Sequence, residues 1–347
     1  MKKLYLLLLI GLQAYVALSQ PSGKSPLYLQ KPLSGLSIQQ VSAETSGGNI
    51  SVSGVPDNEA RLEVYIRDNH GDNLSSDEIK KRLDEQFDFN ISTNDHKLVV
   101  SARPKQQIRI NWNRSLSISF KIYVPESVST VLRTSGGNIT LKKLSGATQD
   151  FKTSGGNMDI DEVTGKINGR TSGGNINISD AKNDIDLATS GGNIEATHCE
   201  GNMRLITSGG ELKLRLLKGS IRATTSGGNV KGEVVEGELI ARTSGGNIKF
   251  TDLACSLNGV TSGGDINISF KDLGKYLDIH NSSGDVTVQL PQGKGMNLQI
   301  SADRIKAGTL NNFSGKVDEK HIDGALNGGG VPVKIDSNSG DVTLTFK

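Results

Sequence analysis

Six and eight residues after the Thr that opens each sequence repeat, at positions expected to face outward, Asp159 and Asp161 form the one local pair of carboxylates. Paired acids are the minimum apparatus for glycoside hydrolysis, with one carboxyl as the acid and the other as base or nucleophile. A site built on repeats needs support from the same positions in adjacent copies. Thr140 and Lys142 on one side and Asn177 and Ser179 on the other do not supply it, so the pair reads as part of a solvated face. Five histidines (His70, His96, His198, His280, His321) are scattered, without HExxH or other metal-ligand spacing. GxSxG and P-loop motifs are absent. No catalytic residue, cofactor or metal is expected, and the chain reads as non-enzymatic.

What the sequence does specify is a support for side chains. Thr-Ser-Gly-Gly-Asn-Ile or a close variant begins at Thr45, Thr134, Thr153, Thr171, Thr189, Thr207, Thr225, Thr243 and Thr261, with an 18-residue period from Thr153 onward. Weaker copies start at Asn281 and Ser337. A fixed period marks units that bury their apolar face against their neighbours. Counted from the Thr, apolar residues fall at offsets −4, −2, +5, +7 and +10, as in Ile185, Leu187, Ile194, Ala196 and Cys199. Alternation on both sides of the tetrad is the period-2 signature of strands with one buried face. A second corner is expected near offset +12, at Gly146, Gly165, Gly201, Gly219 and Gly237. Glycine at both corners implies positive φ or close approach between copies.

The expected fold is therefore all-β: a single-stranded parallel β-solenoid (β-helix) of 18-residue rungs, right-handed by the crossover rule, with an N-terminal α+β cap. Nine rungs from Thr134 to Leu290 would stack to a length of about 40 Å. Structural turn and ladder roles fall to Asn138, Asn157, Asn175, Asn193, Asn229 and Asn247, and to Gly136, Gly155, Gly173, Gly191, Gly209, Gly227, Gly245 and Gly263. Stacked amides bond along the axis, and Asn tolerates left-handed turns. A calcium reading is weaker, because Asp replaces Asn only at Asp265, Asp285 and Asp341.

Four segments follow. Residues 1–19 read as a signal peptide: Lys2 and Lys3, an apolar run from Leu4 to Leu12, and Ala17-Leu18-Ser19 before the cut. That run is too short to span a bilayer. Residues 20–133 hold the first rung and the cap, with strands at Arg61–Arg67, His96–Ala102 and Ser115–Val124 and a helix at Ser76–Phe87. Trp112 and Tyr123 mark a candidate recognition surface there. Residues 134–290 are the regular array, and residues 291–347 are degenerate rungs and a second cap.

The formal charge of +2 includes Lys2 and Lys3, leaving the mature chain near neutral, with 4% aromatic residues and one Trp. Neutrality with interspersed signs gives no case for nucleic acid. Scarce aromatics disfavour a deep ligand pocket. Cys199 lies at the inward offset +10 and Cys255 at the corner offset +12 of a copy three steps away. That is roughly 14 Å along the axis, beyond the ~7 Å a disulfide spans, so both are expected as free thiols.

IYVPESVSTVLRTSGGNI, the serial SGGN repeats and NGGGVPVKIDSNSGDVTL together resemble a bacterial candidate-adhesin family of β-strand-repeat proteins, a domain of unknown function. The resemblance runs from Thr45 to Lys347 and implies a single-stranded β-helix with no catalytic motif. The expected function is an exported adhesin or surface rod that binds a protein or polymer through an extended repeat face. The alternative is a periplasmic structural or interaction module of the envelope, and the remotest is a polysaccharide-active enzyme. After signal cleavage no transmembrane span is expected.

Overall fold

The computed structural model describes residues 27–68, 74–105 and 115–347. The expected signal peptide, His70 and Trp112 lie outside the described residues. Those that are described form an all-β chain in which twenty-six strands join one continuous sheet. One α-helix, Ser76–Gln86, and a short 3-10 turn, Asp57–Glu59, interrupt it.

Pairing in the centre is parallel. Ile176–Ser179 lies beside Ile194–Thr197 with Ile176 opposite Ile194, and Lys182–Ala188 lies beside Glu200–Ile206 with Ile185 opposite Met203. The same displacement of 18 residues carries through Leu212–Thr224, Val230–Arg242 and Ile248–Thr261. Alternate side chains point into a core that every copy fills in the same way. In the copy of Thr189, for instance, Ile185, Leu187, Ile194, Ala196 and Cys199 are all buried. Burying each large aliphatic side chain contributes about 1.5–3 kcal/mol before chain entropy is counted. Volumes compensate between copies. A Cβ at Gly169 would lie 2.5 Å from the Phe151 ring, so the smallest residue sits beside the largest. Between Thr261 and Asn281 the chain is two residues longer, and register shifts between Phe250 and Leu257 absorb the excess.

The two ends are completed by chain that leaves the stack and returns. Gln40–Thr45 pairs in parallel with Ser129–Arg133, and Ile50–Gly54 with Ile139–Leu144. Antiparallel strands follow outward: Arg61–Asp68 on Leu116–Val124, Leu27–Pro32 on Arg61–Asp68, and Phe87–Asn94 on Lys97–Pro104. At the other end, Val331–Ser337 pairs with Leu277–Asn281 and Asp341–Phe346 with Val286–Leu290. His321–Leu326 runs antiparallel to both Met296–Ser301 and Phe313–Val317. A change from parallel to antiparallel pairing ends the template that an open stack would otherwise present.

The helix starts at Ser76, the first residue of the segment whose spacing predicts it, and ends at Gln86. Ser75 rather than Ser76 is the N-cap, its Oγ accepting from the Glu78 N–H at 3.3 Å. Ile79 and Leu83 are buried on its inner face, while Phe87 already belongs to the next strand. No helix among the described residues is long and apolar enough to cross a membrane.

Candidate functional site

The tetrad corner organises the surface. The side-chain oxygen of each tetrad Asn accepts from the backbone N–H one copy further on: Asn157 N to Asn138 Oδ1, Asn175 N to Asn157 Oδ1 and Asn193 N to Asn175 Oδ1, each at 2.8 Å. The bond thus runs from main chain to side chain, not from amide to amide as stacked side chains would suggest. It needs only an acceptor, so Asp can continue it. Asp265 and Asp285 do so, accepting from Asp285 N and Asp341 N at 3.0 Å, while the Asp341 carboxylate ends the row on Arg304 and Lys306. At the start, Asn138 N reaches Asn49 Oδ1 at 2.8 Å across 89 residues of sequence.

The two glycines of the tetrad differ. Around the first (Gly136, Gly155, Gly173, Gly191, Gly209, Gly227, Gly245, Gly263) a Cβ would meet no atom closer than 3.6 Å. None of these eight has positive φ. At the second, Gly137, Gly156, Gly174, Gly192, Gly210, Gly228, Gly246 and Gly264, a Cβ would overlap the carbonyl of the second glycine one copy back. The constraint is close approach, and it falls on the residue after the one expected. The Thr before the tetrad also does more than turn. It is buried, and its hydroxyl donates to that same carbonyl while accepting from its own second glycine. Thr171 Oγ1 donates to Gly156 O at 3.0 Å and accepts from Gly174 N at 3.3 Å.

The second corner is left-handed at two positions. Gly165, Gly201, Gly219 and Gly237 have φ from +99° to +129°, whereas Gly146 does not share the conformation. Lys143, Glu162, Asp180, His198, Leu216, Val234 and Asp252, all at offset +9, have φ from 51° to 56°. Nothing in those residue types announced a turn.

Two outward faces result. On the face after the tetrad the charges pair with each other. Glu195 meets Lys213 at 3.1 Å and Arg215 at 2.8 Å, and Glu211 meets Lys231 at 2.9 Å. Burial alone would raise the Glu195 pKa, but the bonds from Lys213 and Arg215 outweigh it and hold the group below the usual range. Asp159 and Asp161 accept from Asn177 at 2.9 Å and Ser179 at 2.7 Å. On the face before the tetrad, Asp186 bridges Arg170 at 2.5 Å and Arg204 at 2.9 Å. Partial burial opposes its ionisation, and the two guanidiniums overcome that. An open trough of about 480 Å³ crosses this face, with Asn202, Arg204, Ser220, Arg222 and Ile240 among its lining residues.

On the N-terminal segment, Tyr123 lies under Arg61 (3.7 Å from guanidinium carbon to ring centroid) and Tyr65 under Lys121 (4.9 Å). The Tyr65 hydroxyl donates to Glu63 at 2.8 Å, and its pKa is raised to about 12 by that bond and by burial. In each of these rings a cation occupies one face.

Histidine chemistry is local: His280 contacts Asp336 at 3.2 Å and His321 contacts Asp318 at 3.3 Å. Among the described residues no three His, Cys, Asp or Glu converge on a point that could hold a metal. Cys199 and Cys255 are buried free thiols. Burial pushes their pKa values up to about 11 and about 12.

Residues 238–345 match the family model described as Toastrack DUF4097. Two solved structures are similar in part. One is a candidate cell adhesion protein from Clostridium sporogenes, 12% identical over 93% of this chain and 100% of that one, with a TM-score of 0.20. The other is a candidate adhesin from Bacteroides fragilis, 17% identical over 72% of this chain and 98% of that one, with a TM-score of 0.28. At such scores the fold rests on the strand pairing above. No curated protein matches the chain.

Proposed function

We propose that this chain is an exported, non-enzymatic, right-handed β-solenoid of 18-residue rungs. In this reading it serves as a binding rod at the cell surface and engages its ligand through an extended repeat face. The observation that carries the reading is the continuous parallel pairing from Thr130 to Asn281, in register except between Phe250 and Leu257. It holds outward side chains in rows while the inward ones fill a core. Rows of this kind suit polymers and other proteins. The division into a leader (1–19), a capped first rung (20–133), the array (134–290) and a closing segment (291–347) belongs to the same proposal.

Surface labelling of intact cells tests it. The rod should be cleaved by external protease and labelled by a membrane-impermeant reagent. Complete protection would place it inside the envelope as a periplasmic module and sink the surface reading. Turnover of glycans by the purified protein would sink the non-enzymatic one.

A further inference from the structure

We propose that the face bearing Arg204, Arg222 and Arg242 binds a carboxylated polysaccharide. This deepens the binding-rod reading and rests on it. Arg204 and Arg222 stand directly opposite each other on neighbouring parallel strands, which places the two chains about 4.8 Å apart. Like charges so placed repel. Arg204 pairs with Asp186 on the strand away from Arg222, and Asp186 is shared with Arg170. Arg222 is exposed and has no hydrogen bond or ion pair among the described residues. Arg242, one strand further, bonds only the amide oxygen of Asn258, at 3.0 Å. The nearby Glu238 accepts from the Tyr276 hydroxyl at 2.6 Å and makes no ion pair with these arginines among the described residues.

The trough across this face is lined by four basic side chains (Lys166, Arg170, Arg204, Arg222) against two acidic ones (Asp184, Asp186). The opposite face pairs Glu195 and Glu211 with its own cations. Basic side chains thus outnumber acidic ones along the trough, and the complementary occupant is anionic.

The chemistry narrows the occupant further. A guanidinium fork matches a planar carboxylate. Asn202 and Ser220, beside the arginines in the trough, offer an amide and a hydroxyl to sugar hydroxyls. An acidic peptide fits less well. The central strands are paired on both sides, so no backbone edge is open for strand addition. The trough is shallow and offers no pocket for an anchoring side chain. A polymer carrying carboxylates at regular intervals would meet arginines on three successive strands, and such contacts reinforce one another.

Affinity electrophoresis of the full chain through polygalacturonate decides it, with fully methyl-esterified polygalacturonate and polyglutamate as comparisons. Retention by polygalacturonate alone is expected, declining as salt rises. Arg222→Ser and Arg242→Ser should each weaken it about tenfold, the loss of one charge-assisted contact. Lys231→Ser, on the opposite face, should leave it intact. Arg222 is exposed, so its removal spares the core, and Arg242→Ser is a second, independent variant. Equal retention by the esterified polymer, binding of polyglutamate instead, or wild-type affinity in both arginine variants would overturn the assignment. The rod reading would survive that result if intact cells still expose the protein to external protease.

Discussion

Glu211 and Lys231 form an ion pair of 2.9 Å at the one central copy whose tetrad ends in Glu. Glu211 N still bonds Asn193 Oδ1 at 2.8 Å, but its own side chain, longer by a methylene, turns to Lys231. No side chain accepts from Asn229 N, and the corner ladder is broken once. Glu211→Asn should therefore add one hydrogen bond, about 0.5–1.5 kcal/mol, and remove an exposed ion pair contributing about 0–1 kcal/mol. Salt screens only the second. Urea denaturation should show little change at low salt and a clear gain at high salt; the opposite trend would refute the account.

The two tetrad glycines give a sharp contrast. Gly173→Ala adds a methyl where the nearest atom is 3.9 Å away. It should be neutral, or stabilising by about 0.4–1 kcal/mol through the unfolded chain. Gly174→Ala drives its methyl into the Gly156 carbonyl and should lower the denaturation midpoint far more. Equal midpoints for the two variants would show that the copies are spaced more loosely than described.

Thr189 donates to Gly174 O at 2.9 Å and accepts from Gly192 N at 3.3 Å in a buried setting. Thr189→Val keeps the shape and removes both bonds. A loss of about 1–3 kcal/mol is expected for the stranded backbone groups. Thr189→Ser, which keeps the hydroxyl, should lose less. The two unfolding curves side by side make the test.

Val234 holds φ 53° with a β-branched side chain that is 36% exposed. The left-handed region costs about 1–2 kcal/mol for such residues, and Asn visits it readily. Val234→Asn should raise the melting temperature at little cost in burial. A lowered one would mean that the Val side chain contributes more than its backbone loses.

Both thiols should resist alkylation in the native protein at pH 8 and react fully after unfolding, as read by mass shift. A Cys199–Cys255 bridge in the unreduced protein would contradict their assignment as free thiols. The folded thiols have pKa values raised to about 11 and about 12, against an unfolded value near ~8.5. Their contribution to stability is therefore complete below that unfolded value and is lost as pH climbs through 11 and 12. Cys199→Ala and Cys255→Ala should flatten the alkaline limb of the stability curve.

The inward positions were legible because alternation is a direct imprint of burial: every apolar offset in the copy of Thr189 is buried. The corner chemistry was legible only in part. The importance of the second glycine was already written in the weaker copies. Asn281-Ser-Ser-Gly-Asp and Ser337-Asn-Ser-Gly-Asp keep Gly284 and Gly340 and replace the first glycine with Ser. The buried Thr shares its parity with offsets −2 and −4, which places it inward. Offset +9 carried no such signal. Lys143, Glu162, His198 and Leu216 have nothing in common except the backbone bend that tertiary pairing imposes on them. The arginine face was hidden for a related reason. Arg204 and Arg222 become neighbours only once the 18-residue displacement is applied to residues before the tetrad, and only then does the missing carboxylate stand out.

The long jumps in the corner ladder bear on how the molecule assembles. Joining Asn175 to Asn157 closes a loop of 18 residues, whereas joining Asn138 to Asn49 closes one of 89. The longer closure costs roughly 1.4 kcal/mol more in chain entropy, and Asp341 to Asp285 spans 56 residues. Contacts between near neighbours in sequence also form fastest. The array should therefore nucleate in its middle and zip outward, with both ends seated last. The centre can be complete before the closing strand Asp341–Phe346 is seated, so the growing stack would be exposed at that edge until the strand docks.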